Sequence, residues 1–192
     1  MPALFPRWSN TALGVVLGGA VLATGTLLAA PLIYIRTPYG NARAMPVEQP
    51  VEFDHRHHVR DNGIQCLYCH DGAESEQHAG IPETSVCMGC HGQVWTGSRL
   101  LAPVRASYFD DQSIAWRRVY DLPDFVYFHH GVHVQHGIAC ARCHGAVEEM
   151  ARPHRAVSLN MDFCLDCHRN PPGMPDPGRA LTSLTTCTAC HR

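Results

Sequence analysis

The chain has 192 residues and a formal net charge of -2, and only 17% of its residues are charged. This length suffices for one modest domain and a tail, and the absence of a basic excess argues against a nucleic-acid partner. Glycine, proline and histidine are abundant, at 16, 14 and 14 residues, while long amphipathic stretches are few. We therefore expect something other than protein side chains to fill much of the interior.

The first predicted element is an apolar segment at residues 11–35, which contains no charged residue. A transmembrane helix needs roughly 20 apolar residues, whereas the apolar region of a secretory signal has about 7–15. We interpret residues 11–35 as an uncleaved, single-pass anchor that follows a tail at residues 1–10. Cleavage after the LLAA sequence at 27–30 is the alternative, and the arginines on both sides leave the orientation open.

The pattern C-x-x-C-H occurs five times and uses all ten cysteines, and we number these motifs one to five in chain order. It is the attachment signature of c-type haem. Two thiols three positions apart reach the two vinyl groups on one porphyrin edge, and the next residue places an imidazole under the iron. The predicted haem-attachment cysteines are Cys66, Cys69, Cys87, Cys90, Cys140, Cys143, Cys164, Cys167, Cys187 and Cys190, and the predicted proximal ligands are His70, His91, His144, His168 and His191.

A redox disulfide or half of a zinc site is the alternative for a single C-x-x-C pair. Neither requires a histidine directly after the second cysteine, yet all five pairs have one. We therefore expect five covalently bound c-type haems. The expected fold is a single transmembrane helix followed by a multihaem cytochrome c domain with little regular structure, in which short helices and loops wrap around five haems.

An internal repeat marks candidates for the second axial ligand of each iron, here called the distal ligand. Residues 51–70 and 125–144 share the pattern F-x-H-x-x-H, followed by GI-x-C-x-x-C-H after a one-residue slip. Histidines at i and i+3 lie on one face of a helical turn and can address two neighbouring irons. The predicted distal histidines are His55, His58, His130 and His133, whereas His57, His129 and His136 interrupt the repeat and are interpreted as surface residues.

Four distal histidines leave one of five irons without a distal ligand. Methionine is the other common axial ligand, and it raises the reduction potential. Met161 lies three residues before Cys164 and is the favoured ligand, with Met150 as the alternative. A further histidine or an open iron also remains possible, and packing against a porphyrin is the non-ligand role for either methionine.

The motifs divide the remaining chain. Residues 36–50 form a predicted linker, residues 51–95 a dihaem module, and residues 126–192 a trihaem module. Residues 96–125 lack a haem motif but contain arginines and aromatic residues, which are favoured at interfaces. We expect this connector to dock a partner, although its side chains could instead cover haem edges and pair with propionates.

The F-x-H-x-x-H modules resemble the small multihaem cytochrome c family with three bis-histidine haems. In that family the first histidine serves the haem of its own module and the second serves a neighbour. The implied pairs are His55 with His70, His58 with His91, His130 with His144, His133 with His168, and, as the residual pair, Met161 with His191.

Over nearly the whole chain, WTGSRLLAPVRAS, IAWRRVYDLPDFVYFHHGVH and LNMDFCLDCHRNP resemble the membrane-anchored pentahaem subunit of alternative complex III. The resemblance implies a quinol-oxidising respiratory or photosynthetic complex. In such a complex the subunit relays electrons from an iron–sulfur subunit toward a cytochrome c or terminal acceptor. Because c-type haem is attached on the outer face of the bacterial cytoplasmic membrane, we expect residues from 36 onward on the periplasmic side.

Because each iron is predicted to have two axial ligands, no iron has a free position for a substrate. The preferred functional interpretation is therefore an electron-transfer subunit without catalytic residues. A membrane-anchored multihaem quinol dehydrogenase is one alternative. A multihaem reductase with one open iron is another, but such reductases often replace a ligand histidine with lysine, and this chain contains no lysine.

Overall fold

A computed structural model describes residues 5–172 and 183–191 of the chain. The chain divides into two compact units, residues 1–43 and residues 44–192. The first unit contains helix α1, and the second is built from short helical turns connected by loops.

Helix α1 spans Ser9–Tyr34, so it begins two residues before the predicted segment and ends one residue before its end. Its sequence is uniformly apolar, and none of its residues is buried. Pro31 lies inside the helix, as membrane helices tolerate. Among the described residues, α1 is the one helix long and apolar enough to cross a membrane, and a signal sequence has the same properties.

The second unit follows the expected pattern of short helices and loops. Within the described residues of this unit, isolated antiparallel bridges join Pro46 to His154 and Val126 to His191. Its helical elements are a π-helix at Arg56–Asp61, α2 at Cys66–Cys69, a 3-10 turn at Asp71–Glu74, α3 at Thr84–His91, a 3-10 turn at Arg99–Leu101, α4 at Ala102–Asp110, α5 at His130–Gln135, α6 at Ala141–His144, a 3-10 turn at Val147–Glu149, α7 at Met161–Arg169 and α8 at Cys187–Cys190.

Each C-x-x-C pair lies on one helical turn, so its two thiols lie on the same face. Local sequence explains the best-defined case, α7. The Asn160 side chain caps its first turn, since Oδ1 accepts a hydrogen bond from Phe163 N at 3.0 Å. Asp162 in the first turn and Arg169 in the last complement the helix dipole.

The second half of the expected linker is part of the second unit. Ala44 N donates to Arg155 O at 2.7 Å, and Val47 N donates to Pro153 O at 3.1 Å. Gln49 exchanges two hydrogen bonds with the backbone of Arg117 in the connector, at 2.8 and 2.9 Å. Hydrogen bonds to distant segments thus make the chain structured from residue 44, within the range expected as a linker.

The two repeats have the same local structure despite their one-residue difference in length. Ile64 N donates to His58 O at 3.0 Å, and Ile138 N donates to His133 O at 3.1 Å. The first bond spans one more residue than the second. His58 lies in a π-helix that begins directly after His55, whereas His130 and His133 lie in an α-helix, so the extra residue is accommodated in the wider turn.

The protein core of the second unit is small. Large apolar side chains such as Trp95 and Phe109 are 62% and 73% exposed. No large side chain is fully buried in the described part of the chain. This agrees with the expectation that a non-protein group fills the interior. The buried hydrophobic residues are Val51, Ala73, Leu101, Val104 and Met150.

Helix α5 packs tightly on the 3-10 turn that follows motif one. Gly131 is buried there, and its backbone N donates to Glu76 O at 3.1 Å. A Cβ atom at Gly131 would lie 2.9 Å from the Ser75 carbonyl carbon, which is closer than packed atoms allow. Only glycine therefore permits this approach of the two backbones.

We predict that Gly131→Ala destabilises the haem-loaded protein by about 1–3 kcal/mol, because the added methyl group must displace backbone atoms. The measurement is the thermal unfolding midpoint. Gly97→Ala is the matched control, since a Cβ atom there meets no described atom within 4 Å. Equal midpoints for the two variants would contradict the packing argument.

Candidate haem-binding site

Four of the five histidines that follow C-x-x-C donate Nδ1–H to a backbone carbonyl. A carbonyl oxygen only accepts, so these bonds keep the proton on Nδ1 and leave the Nε2 lone pair free. Metal-binding histidines are typically oriented in this way. The bonds join His70 to Gly80 O at 2.9 Å, His91 to Val94 O at 3.1 Å, His168 to Leu184 O at 3.0 Å and His191 to Phe125 O at 3.3 Å.

Three of the four distal candidates make the same kind of bond. His58 Nδ1 donates to Asp54 O at 3.0 Å, His130 Nδ1 to Gln77 O at 2.9 Å and His133 Nδ1 to His129 O at 2.8 Å. The exposed His136 does so as well, to Val132 O at 2.7 Å. The bond alone therefore does not distinguish a ligand, and the positions of the imidazole rings must be considered.

The imidazole rings form pairs across the motifs. The ring centroids of His58 and His91 are 6.1 Å apart, those of His130 and His144 are 6.3 Å apart, and those of His133 and His168 are 6.1 Å apart. A metal–imidazole bond is about 2 Å long and the ring centre lies about 1 Å further, so two imidazoles on one metal have centres roughly 6 Å apart. Each pair therefore fits one iron held between two histidines.

A phenylalanine in each repeat fixes the two distal candidates. Phe53 meets His55 edge-on, with ring centroids 4.8 Å apart, and stacks on His58 at 4.3 Å. Phe128 meets His130 edge-on at 4.8 Å and stacks on His133 at 4.6 Å. Because the phenylalanine and the two histidines have the same spacing in both repeats, the same three-ring arrangement occurs twice. The ring contacts restrict the rotamers of both histidines.

His55 occupies the most strongly perturbed environment among these histidines. Burial, followed by the nearby His70 and His58, lowers the pKa of His55 to about 4. Burial also lowers the pKa of His133 and His144. These imidazoles are therefore neutral at neutral pH, which is the protonation state that binds metal.

Nδ1 of His55 and Nδ1 of His129 are buried and have no hydrogen-bond partner in the described part of the chain. His129 was predicted to be a surface residue, but it is only partly exposed and its carbonyl oxygen holds His133. Buried polar atoms are normally bonded, so these two fit a site in which a polar group is bound beside them.

The surroundings of His191 differ from those of the other four motif histidines. The ring that stacks on His191, in the part of the chain described, is that of Phe125, with centroids 5.8 Å apart. Met161 is 63% exposed at the start of α7, whereas Met150 is buried, and its Cε would lie 3.4 Å from a Cβ atom at Gly145. The two methionines thus have different environments, one open and one packed beside motif three.

All ten cysteines lie in the described part of the chain and carry free thiols. Within that part, no group of three histidine, cysteine, aspartate or glutamate side chains converges on a point that could hold a metal ion. Thiols in pairs beside a histidine fit thioether attachment of haem.

Tyr120 is a site residue that the sequence analysis missed. Its hydroxyl donates to Cys143 O at 3.0 Å and accepts from Ala156 N at 2.7 Å. Its ring meets His144 edge-on, with centroids 4.7 Å apart. Tyr120 lies in the connector, outside any motif, so no local pattern marked it as a residue that positions motif three.

We predict that His58→Ala opens one iron, so that the reduced protein binds about one equivalent of carbon monoxide. The paired ring of His91 would lose its opposite ligand. His57→Ala is the matched control, because His57 is 66% exposed and bonds to Asp61 rather than facing another ring. Absorbance titration with carbon monoxide measures the difference, and absence of binding in His58→Ala would show that His58 is not a ligand.

Comparison with known proteins supports a haem-binding function. Residues 126–192 match the family model described as cytochrome c7 and related cytochrome c. The chain is also similar to the menaquinone reductase multiheme cytochrome c subunit of Nitratidesulfovibrio vulgaris, with 36% identity over 98 residues. The match covers 50% of this chain and 46% of that protein, so the chain spans about half the length of the curated relative it matches. The similarities support the predicted class, a multihaem c-type cytochrome, while the number of haems and the assembly stay predictions.

Proposed function

We propose that this chain is an electron-transfer subunit that holds five c-type haems within a quinone-linked membrane complex. The observation that carries the proposal is the set of histidine pairs with ring centres 6.1 to 6.3 Å apart, each built from one motif histidine and one repeat histidine. Histidine on both faces of an iron leaves no position for a substrate. The chain then acts on electrons alone and has no catalytic residue of its own.

The ten cysteines would attach the haems, and the motif histidines would ligate the irons from the proximal side. The three ring pairs provide three distal histidines, and His55, which lies near His70, would be the fourth. When bound, haem supplies one-electron redox chemistry. The residues of the chain orient the imidazoles through carbonyl bonds and phenylalanine contacts, and they set each potential through ligand type and burial.

We assign Met161 as the distal ligand for the His191 iron. Met161 and Cys164 are three residues apart at the start of α7 and lie on one face of the helix. Cys164 lies beside Cys190 of motif five, which brings this face of α7 toward the last motif. Met150 is instead buried against Gly145, next to the motif-three histidine that already faces His130. Its position supports a packing role.

We predict that Met161→Leu opens one iron to carbon monoxide, whereas Met150→Leu does not. Both changes keep an apolar side chain of similar volume and remove only the sulfur, so they form a matched pair. Met161→His should lower one midpoint potential in a spectroelectrochemical titration, because histidine replaces a ligand that raises the potential. Carbon monoxide binding by Met150→Leu alone would transfer the ligand assignment to Met150.

Helix α1 would anchor the chain in the bacterial cytoplasmic membrane, with the haem domain on the periplasmic face. Its exposed apolar surface supports this role. The connector would dock another subunit, since Trp95 just before it, and Leu100 and Phe109 within it, are 62%, 52% and 73% exposed. The resemblance to alternative complex III names the partners that we propose: an iron–sulfur subunit, and a cytochrome c or terminal acceptor.

The direction of electron flow gives two candidates. The resemblance noted in the sequence supports quinol oxidation. The relative from Nitratidesulfovibrio vulgaris is named a menaquinone reductase subunit, and this favours flow toward the quinone as the second candidate. In both candidates this chain connects a quinone site elsewhere in the complex to a periplasmic redox partner.

The experiment uses membranes that contain the full chain in its complex, with membranes lacking the chain as the control. Menadiol, a quinol, is added to the oxidised sample, and menadione, a quinone, to the reduced sample, while haem absorbance is followed. We expect menadiol to reduce the haems of this chain. Oxidation by menadione without reduction by menadiol would support the second candidate, and no response in either direction would overturn the quinone-linked function.

A further inference from the structure

The five motifs are not arranged in space in the order of the sequence. Each repeat places two distal candidates on one helical turn, so it couples two motifs closely. His55 lies beside His70 while His58 faces His91, which makes motifs one and two neighbours. His130 faces His144 while His133 faces His168, which makes motifs three and four neighbours.

Motif one, rather than motif two, makes the contact between the pair of motifs one and two and the pair of motifs three and four. The thiols of Cys66 in motif one and Cys140 in motif three lie close enough to interact electrostatically. Helix α5 docks on the segment directly after His70, where His130 N donates to Gln77 O at 3.2 Å and Gln135 Nε2 donates to Glu74 O at 3.2 Å. Backbone and thiol contacts thus place motif one against motif three.

Motif two packs against the connector. Its helix α3 packs on α4, where Ser107 Oγ donates to Thr84 Oγ1 at 3.4 Å. Cys87 and Met88 pack on the small core formed by Val51, Leu101 and Val104. The thiol neighbours of motif two that the structure identifies belong to motif one, since Cys69 lies beside both Cys87 and Cys90.

Motif five lies at the other end. His168 Nδ1 in motif four donates to Leu184 O, just before motif five, at 3.0 Å. The thiols of Cys164 and Cys190 are also close enough to interact electrostatically, as are those of Cys143 and Cys167. His191 donates to Phe125 O at 3.3 Å, which ties motif five to the end of the connector. Motif four thus links motif three to motif five, as motif one links motif two to motif three.

We propose that the five attachment sites form one unbranched row in the spatial order two, one, three, four, five, with the motifs of His91 and His191 at its ends. The inference rests on the proposed function, because it takes each motif to hold a haem. It makes the second motif a terminus, and it places the connector helix α4 beside that terminus. A partner that docks on α4 would therefore exchange electrons at the His91 end.

The test is a structure of the haem-loaded full chain in its complex, determined by electron cryomicroscopy, with the iron positions as the readout. We expect the iron above His70 to have the irons above His91 and His144 as its two nearest neighbours. The iron above His91 should have a single near neighbour within the chain. The order would be overturned if the iron above His91 lay nearer to the iron above His144 than the iron above His70 does.

This outcome is separable from the test of function. Five irons in the proposed order, combined with no response to menadiol or menadione, would overturn the quinone-linked function and leave the row intact. A quinone response with another iron order would overturn the row alone. Fewer than five irons would overturn both the proposed row and the proposed number of haems.

Discussion

The spacing between paired imidazole rings is the constraint on which the second unit depends. Each pair brings together a histidine next to a C-x-x-C turn and a histidine from a distant helical turn. No other motif lies between His130 and His144, whereas motif one lies between His58 and His91, yet the centroid distances of the two pairs are 6.3 and 6.1 Å. The loops, the short helices and the carbonyl acceptors all serve to keep these separations, and ordinary side-chain packing contributes a small core.

The sequence predicted the residues of the site better than their arrangement. The motif histidines and the four repeat histidines could be predicted because haem attachment and helical periodicity leave a regular pattern. Tyr120 and the buried side of His129 were missed, because their roles come from contacts with residues distant in the sequence. The early start of the second unit was missed for the same reason, since residues 44–50 bond to residues 153–155 and 117.

Length and hydropathy predicted the bounds of α1 to within two residues at either end. An uninterrupted apolar run of that length has few alternatives to a helix. The short helices could not be delimited in the same way. Elements such as α2 and α6 contain four residues, and α5 contains six, so local propensity contributes little to them. Long-range hydrogen bonds, such as that from His130 Nδ1 to Gln77 O, hold them in place.

The π-helix at Arg56–Asp61 shows how the two repeats could diverge without loss of their common geometry. An inserted residue in an α-helix normally rotates everything beyond it by about 100°. Here the wider turn absorbs the insertion between the second distal candidate and the glycine at which the turn ends, Gly63 with φ of +68° against Gly137 with +73°. Each repeat therefore consists of two segments with fixed local structure, the turn that carries the distal imidazoles and the turn that carries the thiols. The segment that joins them can change in length without altering either one. Duplication followed by such insertions is a route by which a chain can gain redox centres while the geometry of each centre is preserved.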